Sequence, residues 1–147
     1  NTAITDNPSL TNRHWLGPSP LRLVLDLQDR LPKNLGMFQD GLPLTIFSAQ
    51  RSGKEGLVNY VPLAADTDSI PQILHWCYTQ GLNSLLVEGG AQLLQSFIQS
   101  GKWDEAIVIT NTVMRAGDGI VAPELSGYQL NQEIHYSTDT VQYFQHL

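Results

Sequence analysis

The sequence predicts an α/β fold whose central sheet is mainly parallel and carries antiparallel strands at its edge. Short apolar runs alternate with helical segments, one run passes through two glycines into a helix, and two β-rich segments close the chain around Thr138 and Asp139. Strands joined through helices run parallel, whereas a hairpin is antiparallel. These three observations indicate one layered domain over residues 1–147.

The strand candidates share a composition of Val, Ile, Leu and aromatic residues in short runs. They cover residues 21–25, 44–47, 58–61, 84–87, 106–110, 133–137 and 141–146. Two helices are predicted, at 70–80 with Ser69 as N-cap and Pro71 in the first turn, and at 91–100 with Gly101 as the C-terminal cap.

Composition and charge narrow the function classes. The chain has 147 residues, 41% of them hydrophobic, which suits one domain with an ordinary core. Its 8 basic and 14 acidic residues give a net charge of −6, which argues against nucleic-acid and anionic-membrane partners because the overall field repels both. Without an apolar run of roughly 18 residues or a basic leader, the expected location is cytoplasmic.

The cysteine and histidine content argues against a disulfide and a metal site. Cys77 is the single cysteine, and it falls on an apolar helical stripe, so we expect it to be packed in the core. The four histidines are scattered, without the spacing of metal ligands. No metal is predicted.

The most informative segment is V-E-G-G, in which the apolar run 84–87 is followed by Glu88, Gly89 and Gly90 and then by the helix at 91–100. The first N–H groups of a helix have no partner within it, so phosphates and carboxylates bind there. Glycine permits positive φ and close approach of a ligand to the main chain. A tight turn without a ligand is the alternative interpretation.

Residues 85–109, LLVEGGAQLLQSFIQSGKWDEAIVI, resemble the reductase domain of bacterial bifunctional riboflavin biosynthesis proteins, a relative of dihydrofolate reductase. Residues 2–13, TAITDNPSLTNR, are similar to that family's T-x-x-x-D-D/N-P-x-L-T-x-R segment. Residues 20–26, PLRLVLD, are similar to its P-x-R-V-V-x-D strand. The resemblance extends from Thr2 to about Pro123 and implies a three-layer dihydrofolate reductase-like fold.

The resemblance implies NADPH-dependent reduction of 5-amino-6-(5-phosphoribosylamino)uracil to 5-amino-6-(5-phosphoribitylamino)uracil in riboflavin biosynthesis. The substrate opens to an imine, and the sugar C1 accepts hydride from the nicotinamide. Because the cofactor supplies the chemistry, the protein needs only to align the reacting carbons and exclude water. No catalytic side chain is assigned.

Matching the motifs residue by residue assigns substrate contacts to Leu10, Arg13 and Glu88. Arg13 is suited to hold the substrate phosphate through two parallel hydrogen bonds. Simpler interpretations also exist, namely a core position for Leu10, a solvated charge for Arg13 and a favourable helix-dipole interaction for Glu88.

The matched cofactor positions are two polar residues of the segment at 2–13, together with the second glycine of V-E-G-G and the first turns of the helix that follows it. They are Thr2, Asp6, Gly90, Ala91, Gln92, Leu93, Leu94, Gln95 and Ser96. For the 2′-phosphate of NADPH, the local cluster of donors is Ser48, Arg51 and Lys54, although a solvated hairpin tip explains these residues as well. Trp15 and Trp76 offer stacking surfaces, and spacing selects neither.

Since the chain begins with Asn1 and the first motif follows at once, the resemblance implies a reductase domain truncated at its N-terminal end. The H-x-E and P-C-x-x-C signatures of the family's zinc deaminase domain are not found. Two alternatives stay open, another pteridine or folate reductase on the same fold and a non-catalytic nucleotide-binding module. The oligomeric state is also open, with a homodimer among the possible states.

Overall fold

The computed structural model describes residues 2–14, 16–115 and 117–147, and the chain divides into two compact units, Asn1–Leu86 and Val87–Leu147. Each unit contains its own sheet. Trp15, one of the two candidate stacking residues, lies outside the described residues.

The first unit contains a four-stranded sheet and three helices. Its strands are β1 (Leu23–Leu25), β2 (Leu44–Ser48), β3 (Gly53–Glu55) and β4 (Val58–Pro62), and its helices are α1 (Thr2–Asp6), α2 (Gly36–Gln39) and α3 (Ser69–Thr79). The strand order is β1-β2-β4-β3, with β1, β2 and β4 parallel and β3 antiparallel at the edge.

Apolar side chains cover both faces of this sheet. Val24, Ile46 and Tyr60 lie side by side across the three parallel strands and belong to one buried cluster. Phe47, the next residue on β2, belongs to a second cluster with Ile73 of α3. Successive residues of a strand point to opposite faces, so β2 is buried throughout and the unit is layered.

The second unit consists of a helix and an antiparallel sheet. Helix α4 (Ala91–Ser100) is followed by β5 (Glu105–Asn111), β6 (Tyr128–Tyr136) and β7 (Asp139–His146). The strand order is β5-β7-β6, and the β6–β7 ladder has an irregularity between Leu130 and Gln132. The predicted closing hairpin is confirmed.

The predicted α/β class is confirmed, with parallel strands and antiparallel edge strands. The prediction of a strand at 84–87 is wrong, because this segment pairs with no strand in the described part of the chain and Leu86 is 81% exposed. Only Leu85 of this segment packs against a buried cluster. Apolar character alone favours burial, but a strand also requires a hydrogen-bonded neighbour.

The predicted cap of α3 is also wrong by one residue. Asp68 is the N-cap, and its Oδ1 accepts a hydrogen bond from the backbone N–H of Ile70 at 3.0 Å. Ser69 is instead the first helical residue. At the other helix the prediction is confirmed, since α4 spans the expected residues and Gly101 follows it at φ 62°.

Candidate functional site

The first group of candidate residues lies on α1 and the loop that follows it. Thr2 and Asp6, both assigned to the cofactor, are four residues apart on α1 and both are exposed. Residues at this spacing lie on the same helix face, so α1 brings the two together.

Leu10 and Arg13 follow on the loop after α1. Leu10 adopts φ 53° and is half-buried against the first core cluster, which supports a packing role for its side chain. Arg13 is exposed, and none of the ion pairs formed within the described residues includes it. Its guanidinium is therefore available to an anionic ligand.

The third motif, at 20–26, contains two buried charged residues with structural contacts. Asp26 accepts hydrogen bonds from the backbone N–H groups of Arg30 and Leu31 at 3.0 and 2.9 Å. Arg22 is 3% exposed and forms an ion pair with Asp40, with Nη1 to Oδ2 at 2.5 Å and Nη2 to Oδ1 at 3.1 Å. The Arg22 guanidinium hydrogen bond holds the pKa of Asp40 below its ordinary value.

Arg22 also donates to backbone carbonyls from three nearby parts of the chain. The acceptors are Ser9, Met37, Leu42 and Pro43, at distances of 3.1, 3.4, 2.8 and 3.1 Å. Sequence reasoning did not assign this role. A signal was present, because an arginine inside an apolar strand needs buried acceptors for its five N–H donors.

The second group of candidate residues lies in the second unit, around the start of α4. Gly90 is the N-cap at φ −56° and ψ 163°, and no side chain caps the helix. The Gly90 carbonyl accepts from the N–H groups of Leu93 and Leu94, at 3.0 and 3.2 Å. The first turn carries no acidic residue, so the positive end of the helix dipole is uncompensated there.

Neither Gly89 nor Gly90 uses the positive φ that glycine permits. A Cβ added at Gly89 would lie 2.8 Å from Cδ2 of Leu93, so the end of the leucine side chain would have to shift. Gly90 has dihedral angles that any residue can adopt, so conformational freedom does not explain its presence.

The polar side chains along α4 differ in how they are engaged. Gln95 makes two hydrogen bonds with the backbone of Glu124, donating to its carbonyl at 3.3 Å and accepting from its N–H at 2.9 Å. Ser96 donates to the carbonyl of Gln92 at 2.9 Å. The side chains of Glu88 and Gln92 are exposed, whereas those of the leucines that follow are half-buried.

Arg51 lies just before the β3–β4 hairpin and Lys54 lies on β3, so a hairpin forms here as the simpler interpretation expects, although Arg51 itself is ion-paired and not solvated. Arg51 pairs with Glu55 and Asp29 and lies over the ring of Tyr60 at 4.3 Å. Ser48, the third proposed donor, is fully buried, and its Oγ accepts a hydrogen bond from the backbone N–H of Gln50. The charge of Arg51 is thus already compensated by protein carboxylates.

Trp76 and Cys77 have packing roles on α3. Trp76 meets the ring of Phe47 edge-on at 5.2 Å and 87°. Cys77 is 5% exposed, and burial raises the pKa of its thiol, as expected for an unreactive core cysteine. Across the described ranges there is no cluster of three potential metal ligands, and no helix there is both long and apolar enough to cross a bilayer.

Comparison with known proteins identifies the family. Residues 1–137 match the family model described as the RibD C-terminal domain. The chain belongs to this family. The RibD C-terminal domain match covers all three motifs of the N-terminal and central sequence, including residues 2–13 and the V-E-G-G segment.

Two curated relatives illustrate the relationship. The chain is 30% identical over 134 residues to an Aquifex aeolicus protein named 2,5-diamino-6-ribosylamino-4(3H)-pyrimidinone 5′-phosphate reductase, covering 86% of this chain and 59% of that protein. It is 31% identical over 145 residues to the riboflavin biosynthesis protein RibD of Bacillus amyloliquefaciens, covering 90% of this chain and 38% of that protein. The chain thus spans 38% to 59% of the length of these two relatives.

Solved structures confirm the fold. A Thermotoga maritima diaminohydroxyphosphoribosylaminopyrimidine deaminase/5-amino-6-(5-phosphoribosylamino)uracil reductase matches with a TM-score of 0.78 and 20% identity, covering 99% of this chain and 43% of that one. The riboflavin biosynthesis reductase Rib7 of Saccharomyces cerevisiae matches with a TM-score of 0.75 and 20% identity, covering 98% and 71%. At this identity the likeness shows that the chain shares the fold of these reductase structures.

Proposed function

We propose that this chain reduces 5-amino-6-(5-phosphoribosylamino)uracil to 5-amino-6-(5-phosphoribitylamino)uracil with NADPH, as a step of riboflavin biosynthesis. Membership of the RibD C-terminal domain family supports the reaction class, and the name of the Aquifex aeolicus reductase supports the substrate class. A cytoplasmic location and a homodimer remain predictions.

The observation that carries the proposal is the uncapped start of α4 after Glu88, Gly89 and Gly90. A helix of ten residues without a side-chain cap offers unpaired N–H groups and positive potential to a diphosphate. These donors fit the diphosphate of NADPH, and the bound cofactor would supply hydride to the imine carbon. On α1, the paired positions Thr2 and Asp6 are the proposed additional cofactor contacts.

Within the proposed cofactor segment, the main chain at Gly90, Ala91 and Gln92 is the part best suited to touch the ligand. The Gln95 and Ser96 side chains already bond to protein carbonyls, so we expect any contribution from them to be indirect. The proposed roles of Leu93 and Leu94 are apolar contacts.

The substrate contacts proposed are Leu10, Arg13 and Glu88. Arg13 would hold the substrate phosphate with its planar guanidinium, since no carboxylate of the described residues competes for it. Glu88 is exposed and its carboxylate would accept hydrogen bonds from ribose hydroxyls or favour the protonated imine nitrogen. Orientation and exclusion of water are the protein's main contributions.

The deciding experiment measures NADPH oxidation by the purified protein with and without the phosphoribosylaminouracil. We expect substrate-dependent oxidation, and we expect Arg13→Ala to raise the substrate KM by roughly 10- to 100-fold, because a charge-assisted hydrogen bond is worth about 1.5–3 kcal/mol. Arg115→Ala is the matched control, since Arg115 is an exposed arginine outside the matched motifs. Equal effects of the two substitutions would contradict the phosphate-binding role.

A second variant tests the cofactor contact. Gly90→Ser adds a hydroxyl that can accept from the first-turn N–H groups, so it should preserve or slightly raise stability while weakening NADPH binding.

Tight NADPH binding by the wild-type protein without any reduction of the substrate would instead favour the non-catalytic nucleotide-binding module. Reduction of a pterin in place of the phosphoribosyl compound would favour another reductase of this fold.

A further inference from the structure

We propose that Asn7 and Arg22 are positioning residues that fix the loop carrying Leu10 and Arg13, and so set the affinity for the phosphoribosyl substrate. This inference rests on the proposed function for the identity of the substrate. It concerns residues that lie outside the proposed substrate and cofactor contacts and that act through the loop.

The first fixed point of the loop is the side chain of Asn7. Its Oδ1 accepts a hydrogen bond from the backbone N–H of Gly36 at 2.8 Å, across 29 positions of sequence. Gly36 is the first residue of α2, and the local N-cap, Leu35, provides no side-chain cap. Asn7 therefore caps α2 from a distant part of the chain, and α2 in turn holds Asn7.

The backbone at Asn7 is suited to this contact. Asn7 adopts φ 43°, a left-handed conformation that asparagine tolerates better than most residues. A Cβ added at Gly36 would lie 3.4 Å from Oδ1 of Asn7, in ordinary van der Waals contact, so the carboxamide packs directly on the first residue of α2.

The second fixed point is the carbonyl of Ser9, which accepts from Nη1 of Arg22 at 3.1 Å. Arg22 cannot shift easily, because its guanidinium is buried and is also held by Asp40 and by the carbonyls of α2 and the turn after it. Ser9 is thus tied to a rigid group inside the first unit.

These two fixed points lie immediately before Leu10. Leu10 itself adopts φ 53°, and its side chain packs against the first core cluster. Arg13 follows three residues later and is exposed. The path of the chain towards Arg13 is therefore fixed in part by the contacts at Asn7 and Ser9. A further contact lies next to Arg13, where the backbone N–H of Asn12 donates to Oγ of Ser19 at 3.3 Å. None of these contacts uses a group that the proposed reaction needs.

The test compares three variants of the purified protein. Asn7→Gly removes the carboxamide without strain at positive φ, and Asn7→Asp keeps an oxygen acceptor for the Gly36 N–H. Gln39→Ala is the matched control, because it removes an exposed side-chain hydrogen bond from α2 to the Lys33 carbonyl and leaves the loop untouched. All three are compared with wild type at a temperature where each is folded.

We expect Asn7→Gly to raise the substrate KM about tenfold, equivalent to about 1.4 kcal/mol, with a much smaller change in kcat. Asn7→Asp should restore the wild-type KM, and Gln39→Ala should not change it. Backbone hydrogen exchange of residues 9–13 should become faster in Asn7→Gly alone. If a general loss of stability caused the change, the substrate KM of Gln39→Ala and of Asn7→Asp would rise as well.

Faster exchange with an unchanged substrate KM would overturn the positioning role, and unchanged exchange would overturn the anchoring contact itself. If wild type shows no substrate-dependent NADPH oxidation, the proposed function is wrong and the substrate part of this inference fails with it. Hydrogen exchange of Asn7→Gly then still decides whether Asn7 fixes the loop.

Discussion

Replacing Arg22 with methionine tests the ion pair between the buried Arg22 and the partly exposed Asp40. The Arg22 side chain is 2% exposed and that of Asp40 is 26% exposed. Arg22→Met would leave the backbone carbonyls that the guanidinium binds without this donor, and each unsatisfied buried acceptor costs about 1–3 kcal/mol. Since Asp40 can regain water, we expect Arg22→Met to lower the free energy of unfolding by about 3 kcal/mol.

Asp40→Asn should cost less, about 1–2 kcal/mol, because the amide oxygen can still accept from the guanidinium. The double variant should cost less than the sum of the single ones, since both substitutions remove the same interaction. Urea denaturation of wild type, the two single variants and the double variant provides these free energies of unfolding, provided that the m-value is the same for all four proteins. If the losses of the two single variants add up in the double variant, or if Arg22→Met loses less than about 1 kcal/mol, the assignment of an energetically coupled ion pair is refuted.

Three further predictions follow from single contacts. Because the pKa of Asp40 is lowered in the folded state, its ionised carboxylate stabilises the fold at pH values above its ordinary pKa of 3.8, and this stabilisation is lost as the pH falls through the lower folded-state pKa. The stability difference between wild type and Asp40→Asn should therefore shrink on acidification. A difference that stays constant in acid titrations would contradict this. Asp68→Ala should cost about 1 kcal/mol by loss of the α3 cap whereas Ser69→Ala should be nearly neutral, as compared by thermal denaturation. Gly101→Ala should cost about 1–2 kcal/mol because of its left-handed φ of 62°, and an equal stability of the two proteins in urea would be inconsistent with that strain.

Elements with a clear periodic pattern could be predicted from the sequence. Helix α4 matches its expected residues because its apolar positions recur at helical spacing and Gly101 ends it. Strands β2 and β4 were expected within one residue, since each is a compact apolar run. In these cases the local sequence and the tertiary packing favour the same structure.

The remaining elements depend on contacts between distant residues. Helices α1 and α2 have five and four residues, too few for a periodic stripe to be visible. The segment at 84–87 has strand-like residues without a strand partner among the described residues, which no local pattern can reveal.

In the candidate site, too, some features follow from local sequence patterns and others depend on contacts between distant residues. Motif identity could select Arg13 and the V-E-G-G turn, because these residue types stand at fixed spacing. The capping of α2 by Asn7 and the contacts of Arg22 involve acceptors across 13 to 29 positions of sequence, so they are visible only in the folded chain. Residue types could therefore suggest the chemistry, whereas the loop geometry could not be predicted from them.

Strand β3 has a consequence for behaviour at high protein concentration. An unpaired sheet edge can recruit a strand from another molecule and start aggregation. Here the outer strand has only three residues, it begins at Gly53 with φ 90°, and it carries Lys54 and Glu55, all of them exposed. Short length, local twist and two opposite charges make this border a poor template, which should keep copies of the chain from joining along it.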